Sequence, residues 1–309
     1  MHPHLIAAIE TGGTNFNCAV GTGPGDLRLT KRFATMAPHE TLREMVDFFE
    51  SAARQLGQFS AIGVGSFGPI DLVERNETFG HIMRTPKAGW QFTDLLGPLR
   101  DCFHVPVGFD TDVNAAALGE YTWGAGKNCD PLVYITVGTG IGGGVLIGGK
   151  PLHGAMHPEI GHLHIPQVMS SAPQPEGVCA FHGGNCLEGL ISGPAIAARW
   201  GAPAESFPPE HECWGEFATL MALGLVNLTL TLSPQRIILG GGVMHQTHLF
   251  PMIQEEMQRL LNDYLHTREL MEGIGEFVVP PGLGDDSGLL GALALGRNAL
   301  IAQTGLMSR

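Results

Sequence analysis

The sequence predicts an α/β protein in which mostly parallel, helix-covered sheets form two related domains. One observation is the alternation of short apolar runs with helical segments along the chain, which is typical of such sheets. The other is a pattern that occurs twice: an apolar run, a glycine-rich turn and a second apolar run. The turns lie at residues 10–15 and 138–144. A chain of 309 residues is long enough for two domains of this kind.

The first half of the chain begins with strands and continues with alternating helices and strands. Apolar runs predict strands at residues 5–10, 16–21, 28–34, 61–65 and 106–109. The 3.6-residue spacing of Leu42, Met45, Phe49 and Ala53 predicts a helix over residues 41–56. Further helices are predicted at residues 92–103 and from Asp112 to about Trp123.

The second half repeats this order after its own glycine turn. Strands are predicted at residues 132–137, 144–148 and 236–239 and near 277–279. Helices are predicted at residues 187–200, 212–232, 248–264 and 286–302, and residues 153–185 are expected to be irregular. The apolar run over residues 217–232 is shorter than the ~20 residues of a membrane span and contains Asn227, so we expect a buried helix.

Composition and charge indicate a cytoplasmic enzyme with reduced thiols. The net charge is −13, with 17 Lys+Arg against 30 Asp+Glu, and no basic cluster occurs, which argues against nucleic acid or an anionic membrane as the partner. The N-terminus carries no targeting pattern, and the six cysteines are scattered. An acidic protein that binds phosphate groups must rely on backbone amides and a metal ion.

The two glycine turns are candidates for phosphate binding. Successive N–H groups in such turns form a concavity that binds anions, and two of them suggest that related domains hold one phosphorylated ligand. Two ordinary hairpin turns are the alternative interpretation. A P-loop is excluded because no turn has the Walker spacing with lysine, and a Rossmann fold is excluded because both turns lead into strands. The turn from Gly65 to Asp71 follows a strand and is a further ligand candidate.

Asp112 is the candidate base. A predicted strand delivers it to the start of a helix, where the helix dipole favours its carboxylate form. A weakly basic aspartate suffices in phosphoryl transfer, because orienting the attacking hydroxyl matters more than removing its proton early. The alternative is that Asp112 only caps the helix.

Three soft ligands in one irregular loop suggest a zinc site. These are Cys179, His182 and Cys186, and His162 could complete a tetrahedron, with His157 and His164 as alternatives for the fourth position. Four protein ligands leave no open position for water, so a structural zinc is favoured over a hydrolytic one.

Taken together, these residues resemble the ROK (repressor, ORF, kinase) family of sugar kinases, and within it the bacterial fructokinases. The resemblance covers nearly the whole chain. It is carried by both glycine turns, by the segments HPEIGH at residues 157–162 and TPKAGW at residues 85–90, and by the Cys179–His182–Cys186 loop. Glu10 at the start of the first turn and His182, where many relatives have cysteine, are similar to the fructokinase branch.

The resemblance implies an actin-like ATPase fold with two RNase H-like lobes and the active site in the cleft between them. The expected lobes are residues 1–115 plus 290–309 and residues 116–289. Implied sugar-binding residues are Gly65, Phe67, Gly68, Pro69, Asp71, Glu159, His162 and Glu188. Implied ATP-binding residues are Glu10, Thr11, Gly12, Gly13, Thr14, Asn15, Gly138, Thr139, Gly140, Gly240, Gly241, Gly242 and Gly284. Asp112 is implied as the general base, and ATP, Mg²⁺, structural Zn²⁺ and a homodimer are expected.

The implied activity is transfer of the ATP γ-phosphate to the 6-hydroxyl of fructose, giving fructose 6-phosphate. A mannokinase or glucokinase is the alternative within the family, because Thr111 stands where many hexose-binding relatives have asparagine. Asn15 replaces a common lysine, so one phosphate contact is expected to differ. A non-catalytic sugar sensor is the alternative of a different class; it would need a DNA-binding segment before the first turn, which begins at Glu10.

Overall fold

The structure is a computed structural model that describes residues 4–166 and 177–305. The described residues divide into two compact units. The first comprises residues 4–124, His153–His157 and 286–305, and the second comprises Ala125–Leu152 and the described part of Pro158–Asp285. Of the irregular segment predicted over residues 153–185, residues 167–176 lie outside the described part.

Strands and helices alternate along residues 4–124. The elements are β1 (Ile6–Thr11), β2 (Asn15–Gly23), β3 (Asp26–Ala34), α1 (Pro38–Leu56), β4 (Ala61–Ser66), β5 (His81–Ile82), β6 (Thr93–Asp94), α2 (Gly97–Cys102), β7 (Val107–Thr111) and α3 (Asp112–Trp123).

The rest of the chain repeats the hairpin and adds most of the helices. Its strands are β8 (Leu132–Val137), β9 (Ile141–Ile147), β10 (Lys150–Pro151), β11 (Arg236–Gly240) and β12 (Val278–Val279). Its helices are α4 (Leu187–Ile191), α5 (Gly193–Trp200), α6 (Cys213–Leu232), α7 (Leu249–Leu261), α8 (Arg268–Met271), α9 (Ile274–Phe277) and α10 (Ser287–Thr304). Short 3₁₀ turns occur at Ile160–His162, Ala204–Ser206, Gly242–His245 and Gly284–Asp286.

The two units share one sheet topology. In the first unit the strand order is β3-β2-β1-β4-β7, with β1 antiparallel to β2 and parallel to β4. In the second unit the order is β10-β9-β8-β11-β12, with β8 antiparallel to β9 and parallel to β11. Each sheet therefore begins with an antiparallel glycine hairpin and continues with parallel strands. This repetition confirms the predicted pair of related domains.

Each sheet has its own core. One face of the first sheet packs with α1, through residues such as Phe16, Met45 and Phe49. Its other face is covered by α10, whose Ala292 and Leu293 are fully buried. The helix α10 also crosses α3 so closely that a Cβ at Gly291 would lie 1.7 Å from the Ala115 carbonyl oxygen. This close packing holds α3 entirely within the first unit, so the unit ends at Gly124 and resumes at Asp286, whereas the expected boundaries were 115 and 290.

The helix α6 is the buried helix expected from the apolar run. It is the one described helix that is long and apolar enough to cross a membrane by length and composition. Its Trp214, Phe217, Met221 and Leu225 are fully or almost fully buried in the core of the second unit.

Two predicted helices differ from those observed, and both differences have a local cause. The helix predicted at residues 92–103 begins only at Gly97, because Phe92 has a left-handed φ of 59° and Thr93–Asp94 pairs with His81–Ile82. The helix predicted at residues 187–200 is two helices. Ser192 is extended and caps the second one, which carries Pro194 in its first turn, where the missing N–H is tolerated.

Candidate functional site

Asp112 is the first residue of α3, and it is partly exposed there. The cap of this helix is Thr111, whose hydroxyl accepts a hydrogen bond from the Asn114 N–H at 3.1 Å. One oxygen of Asp112 accepts the Val113 N–H at 2.8 Å. Thr111 therefore fills the capping role that was the alternative interpretation of Asp112, and the Asp112 carboxylate lies at the positive end of the helix dipole.

Asp110 is a buried carboxylate just before this helix, and it was not predicted to be functional. It accepts hydrogen bonds from the Thr111 N–H at 2.8 Å and from Asn114 Nδ2 at 2.7 Å, and its other oxygen lies 3.0 Å from His153 Nε2. The hydrogen bond that the Asp110 carboxylate accepts from the His153 ring raises the pKa of His153 above its ordinary value, against the opposing effect of burial. The sequence offered no signal for this pair, because His153 lies 43 residues further along the chain.

The predicted sugar turn after β4 is held by contacts within the first unit. The buried His157 ring accepts a hydrogen bond from the Ile70 N–H at 3.4 Å. The Asp71 carboxylate accepts hydrogen bonds from Thr78 Oγ1 at 2.6 Å and from Asn76 Nδ2 at 2.9 Å. Although burial raises the pKa of Asp71, these hydrogen bonds lower it overall. Asp71 thus orders the loop that follows it, and a sugar contact through this carboxylate stays a prediction.

The first glycine hairpin has an open tip. The Gly12 N–H donates to the Asn15 carbonyl at 2.8 Å, which closes the turn. A Cβ placed on Gly13 would meet no atom within 4 Å, and Gly13 does not have a left-handed φ. Neither packing nor backbone conformation therefore requires glycine at this position. Glu10, at the base of the hairpin, accepts a hydrogen bond from Asn17 Nδ2 at 2.8 Å.

The second hairpin is similar, and Glu188 supports it. The Gly138 N–H donates to the Gly140 carbonyl at 2.9 Å, and a Cβ on Gly138 would again meet nothing within 4 Å. Glu188 Oε2 accepts the Ile141 N–H at 3.0 Å. Glu188 was predicted to bind sugar, and the structure adds a contact to the hairpin that the sequence could not indicate.

Two glycine segments, Gly240–Gly242 and Gly282–Gly284, lie together in the second unit, and four of their glycines, Gly240, Gly241, Gly242 and Gly284, are expected to bind ATP. Gly241 has a left-handed φ of 89°, and a Cβ there would lie 2.5 Å from the Val137 backbone. A Cβ on its neighbour Gly240 would lie 2.9 Å from Pro281. His245, after the first segment, pairs with Asp285, after the second, at 2.9 Å.

The four predicted zinc ligands converge. One ligand atom from each of His162, Cys179, His182 and Cys186 lies within 4.8 Å of the others. Cys179 Sγ is 3.6 Å from His162 Nδ1 and 3.7 Å from His182 Nδ1, and Cys186 Sγ is 3.9 Å from His162 Nδ1. Zn–S and Zn–N bonds of about 2.3 and 2.0 Å at tetrahedral angles place sulfur and nitrogen about 3.5 Å apart. The donor set and its spacing therefore fit zinc.

The two alternative histidines do not join this cluster. His157 belongs to the first unit, where it binds the Ile70 N–H. His164 packs its ring on His182, but it is not among the clustered ligands. Burial raises the pKa of the metal-free Cys186 thiol to about 11, so a bound metal would have to displace its proton.

The chain matches the ROK family over residues 6–299. It is 42% identical over 294 residues to the fructokinase of Zymomonas mobilis, covering 94% of this chain and 96% of that one. It is 38% identical over 296 residues to the fructokinase of Pediococcus pentosaceus, covering 96% and 99%.

Two solved structures have a similar fold. The ROK hexokinase from Thermus thermophilus matches with a TM-score of 0.75 at 26% identity, covering 96% of this chain and 99% of that one. The ROK family glucokinase from Streptomyces griseus, solved with glucose and AMPPNP, matches with a TM-score of 0.69 at 26% identity, covering 95% and 99%. The predicted actin-like ATPase fold is confirmed, and the chain belongs to the ROK family.

Proposed function

We propose that this protein is an ATP-dependent fructokinase that phosphorylates the 6-hydroxyl of fructose. The observation that carries the proposal is the similarity to fructokinases of Zymomonas mobilis and Pediococcus pentosaceus, at 42% and 38% identity over almost the full length of both chains. The glucokinase from Streptomyces griseus, which was solved with glucose and an ATP analogue, supports ATP as the phosphate donor and a hexose as the acceptor.

Asp112 is the proposed general base. Its carboxylate lies at the start of α3, and Thr111, rather than Asp112, caps the N-terminus of this helix. In phosphoryl transfer such a carboxylate orients the attacking hydroxyl and accepts its proton as the bond to phosphorus forms. Asp110, Asn114 and His153 fix the turn in front of the helix and so hold the direction of Asp112.

ATP is proposed to bind through backbone groups of the glycine hairpins. The open tips at Gly13 and Gly138 leave room for phosphate oxygens beside the main chain. The joined segments at Gly240–Gly242 and Gly282–Gly284 are proposed to hold adenosine. Mg²⁺, when bound, would offset the phosphate charge. Glu10 would help to position the hydrated Mg²⁺, because carboxylate oxygens are among the groups that this cation prefers.

Sugar recognition is assigned to Glu159, His162 and Glu188, with the turn from Gly65 to Asp71. His162 would bind zinc through Nδ1, the atom that faces Cys179 and Cys186. Zinc would then fix the orientation of the same ring that is proposed to bind the sugar. A structural role is proposed for the metal because its four protein ligands leave no position for water.

The acceptor is tested by comparing kcat/KM for fructose, mannose and glucose with Mg-ATP. Fructose should give the highest value. A site that binds one hydroxyl pattern leaves buried polar groups unpaired with another sugar, which costs about 1–3 kcal/mol per group. A higher value for mannose or glucose would make the protein a mannokinase or glucokinase. Hexose binding without any ADP release would indicate a sugar sensor.

A further inference from the structure

Lys87 brings a positive charge to the first glycine hairpin. Its ammonium group donates a hydrogen bond to the Gly13 carbonyl oxygen at the hairpin tip. A lysine has three such donors, so this contact leaves two for other partners. Within residues 4–166 and 177–305, no carboxylate forms an ion pair with this ammonium group, whereas Lys31 of β3 pairs with Glu44 at 3.0 Å.

The position of Lys87 is built by buried contacts. Trp90 is fully buried, and its indole N–H donates to the Met36 carbonyl at 3.0 Å. Its ring packs on Phe16 of β2, at 5.5 Å between ring centroids, and on Phe67 at 5.6 Å. Because β2 leaves the hairpin directly, Trp90 fixes the segment that carries Lys87 to the strand that carries the turn.

The hairpin beside Lys87 has room for a ligand. Neither the backbone conformation nor the packing requires a glycine at position 13, and a Cβ there would point into open space. Gly13 and Thr14 are both exposed. Close approach of a ligand to the main chain explains a glycine at a position where the fold itself does not require one.

The charge of the whole protein makes one lysine at this place significant. The net charge is −13, so a nucleoside triphosphate meets a repulsive field unless a local cation offsets it. We propose that Lys87 binds a phosphate group of the nucleoside triphosphate at the first glycine hairpin. This inference rests on the proposed use of ATP, and it adds to that proposal a side-chain cation where backbone amides and a metal ion had been expected.

The test compares Lys87→Gln, Lys87→Arg and a control, Lys31→Gln, by calorimetric titration with Mg-ATP and with adenosine. A charge-assisted hydrogen bond contributes strongly to binding affinity, so its loss in Lys87→Gln should weaken Mg-ATP binding roughly 10-fold to 100-fold. Adenosine binding should stay unchanged, Lys87→Arg should lose less affinity because it keeps the charge, and Lys31→Gln should match the wild type. In turnover, the KM for ATP should rise while the KM for fructose stays constant.

Two results would overturn the inference: Mg-ATP affinity in Lys87→Gln equal to that of the wild type, or an equal loss for Mg-ATP and adenosine. If Lys87→Gln does not fold, as judged by thermal unfolding, Trp90→Phe displaces the same lysine and must weaken Mg-ATP binding without affecting adenosine. The binding measurements need no turnover. A wild type that binds Mg-ATP but phosphorylates no hexose therefore refutes the proposed function and leaves the role of Lys87 open to the same titrations.

Discussion

Replacing Asp112 by asparagine should separate catalysis from stability. Asparagine has the same shape, and its side-chain oxygen can still accept the Val113 N–H that Asp112 Oδ1 accepts at 2.8 Å. The helix cap is unaffected, because it belongs to Thr111. The substitution therefore removes a charge and a proton acceptor while it leaves these two hydrogen bonds in place.

The two expected magnitudes differ widely. Loss of a positioned base lowers turnover by about 10²–10⁴-fold, which corresponds to roughly 2.7–5.4 kcal/mol in the activation free energy. Loss of one charge in the first turn of a helix costs about 0.3–1 kcal/mol of stability, and the partial exposure of Asp112 favours the lower end. Removal of a true cap would cost up to about 2 kcal/mol.

The assay is steady-state ADP release with fructose, beside denaturant unfolding and calorimetric binding of ATP and fructose. Glu40→Gln is the matched control, because Glu40 is an exposed acidic residue in the first turn of α1. It should lose a similar small amount of stability and keep full turnover. The reasoning is refuted if Asp112→Asn turns over at a rate close to that of the wild type, or if it loses as much stability as a capping residue.

Two further predictions concern zinc and pH. The protein should contain about one zinc per chain, and Cys179→Ser should lower the zinc content, stability and activity together; a fully active protein without metal by elemental analysis would contradict this. The raised pKa of His153 implies that its pairing with Asp110 stabilises the fold fully below the ordinary value of 6.5, and that this contribution is lost as pH rises through the raised pKa. Thermal unfolding of the wild type should show that loss on raising the pH, and His153→Gln should not; identical pH profiles would show that the pair contributes nothing.

The parts of the fold that could be predicted are those set by local pattern. Apolar runs on both sides of a glycine turn identified β1–β2 and β8–β9, because the strands of a hairpin are neighbours in sequence. The break at Ser192 was also present in the sequence, as Pro194, and was missed. The short helix α2 was overestimated because the pairing of Thr93–Asp94 with His81–Ile82 is not visible in a helical pattern.

The candidate site was predictable in its residue types and less so in its contacts. Cys179, His182 and Cys186 occur within eight residues of sequence, so chemistry alone indicated a metal. The fourth ligand, His162 rather than His157 or His164, is defined by the tertiary structure, which brings His162 alone of the three to the cysteines. The pairs Asp110–His153 and Gly13–Lys87 join residues 43 and 74 positions apart, and nothing in local spacing indicates such partners.

The candidate zinc loop and the second glycine hairpin meet at one residue, Ile141. Glu188, two positions after the candidate ligand Cys186, accepts the Ile141 N–H at 3.0 Å. Gly161, next to the ligand His162, packs so closely that a Cβ there would lie 1.8 Å from the Ile141 carbonyl oxygen. Both segments that carry zinc ligands therefore contact the strand that leaves the hairpin. Because metal binding orders such loops, loss of zinc should impair the position of the second glycine hairpin as well as that of the residues proposed to bind the sugar.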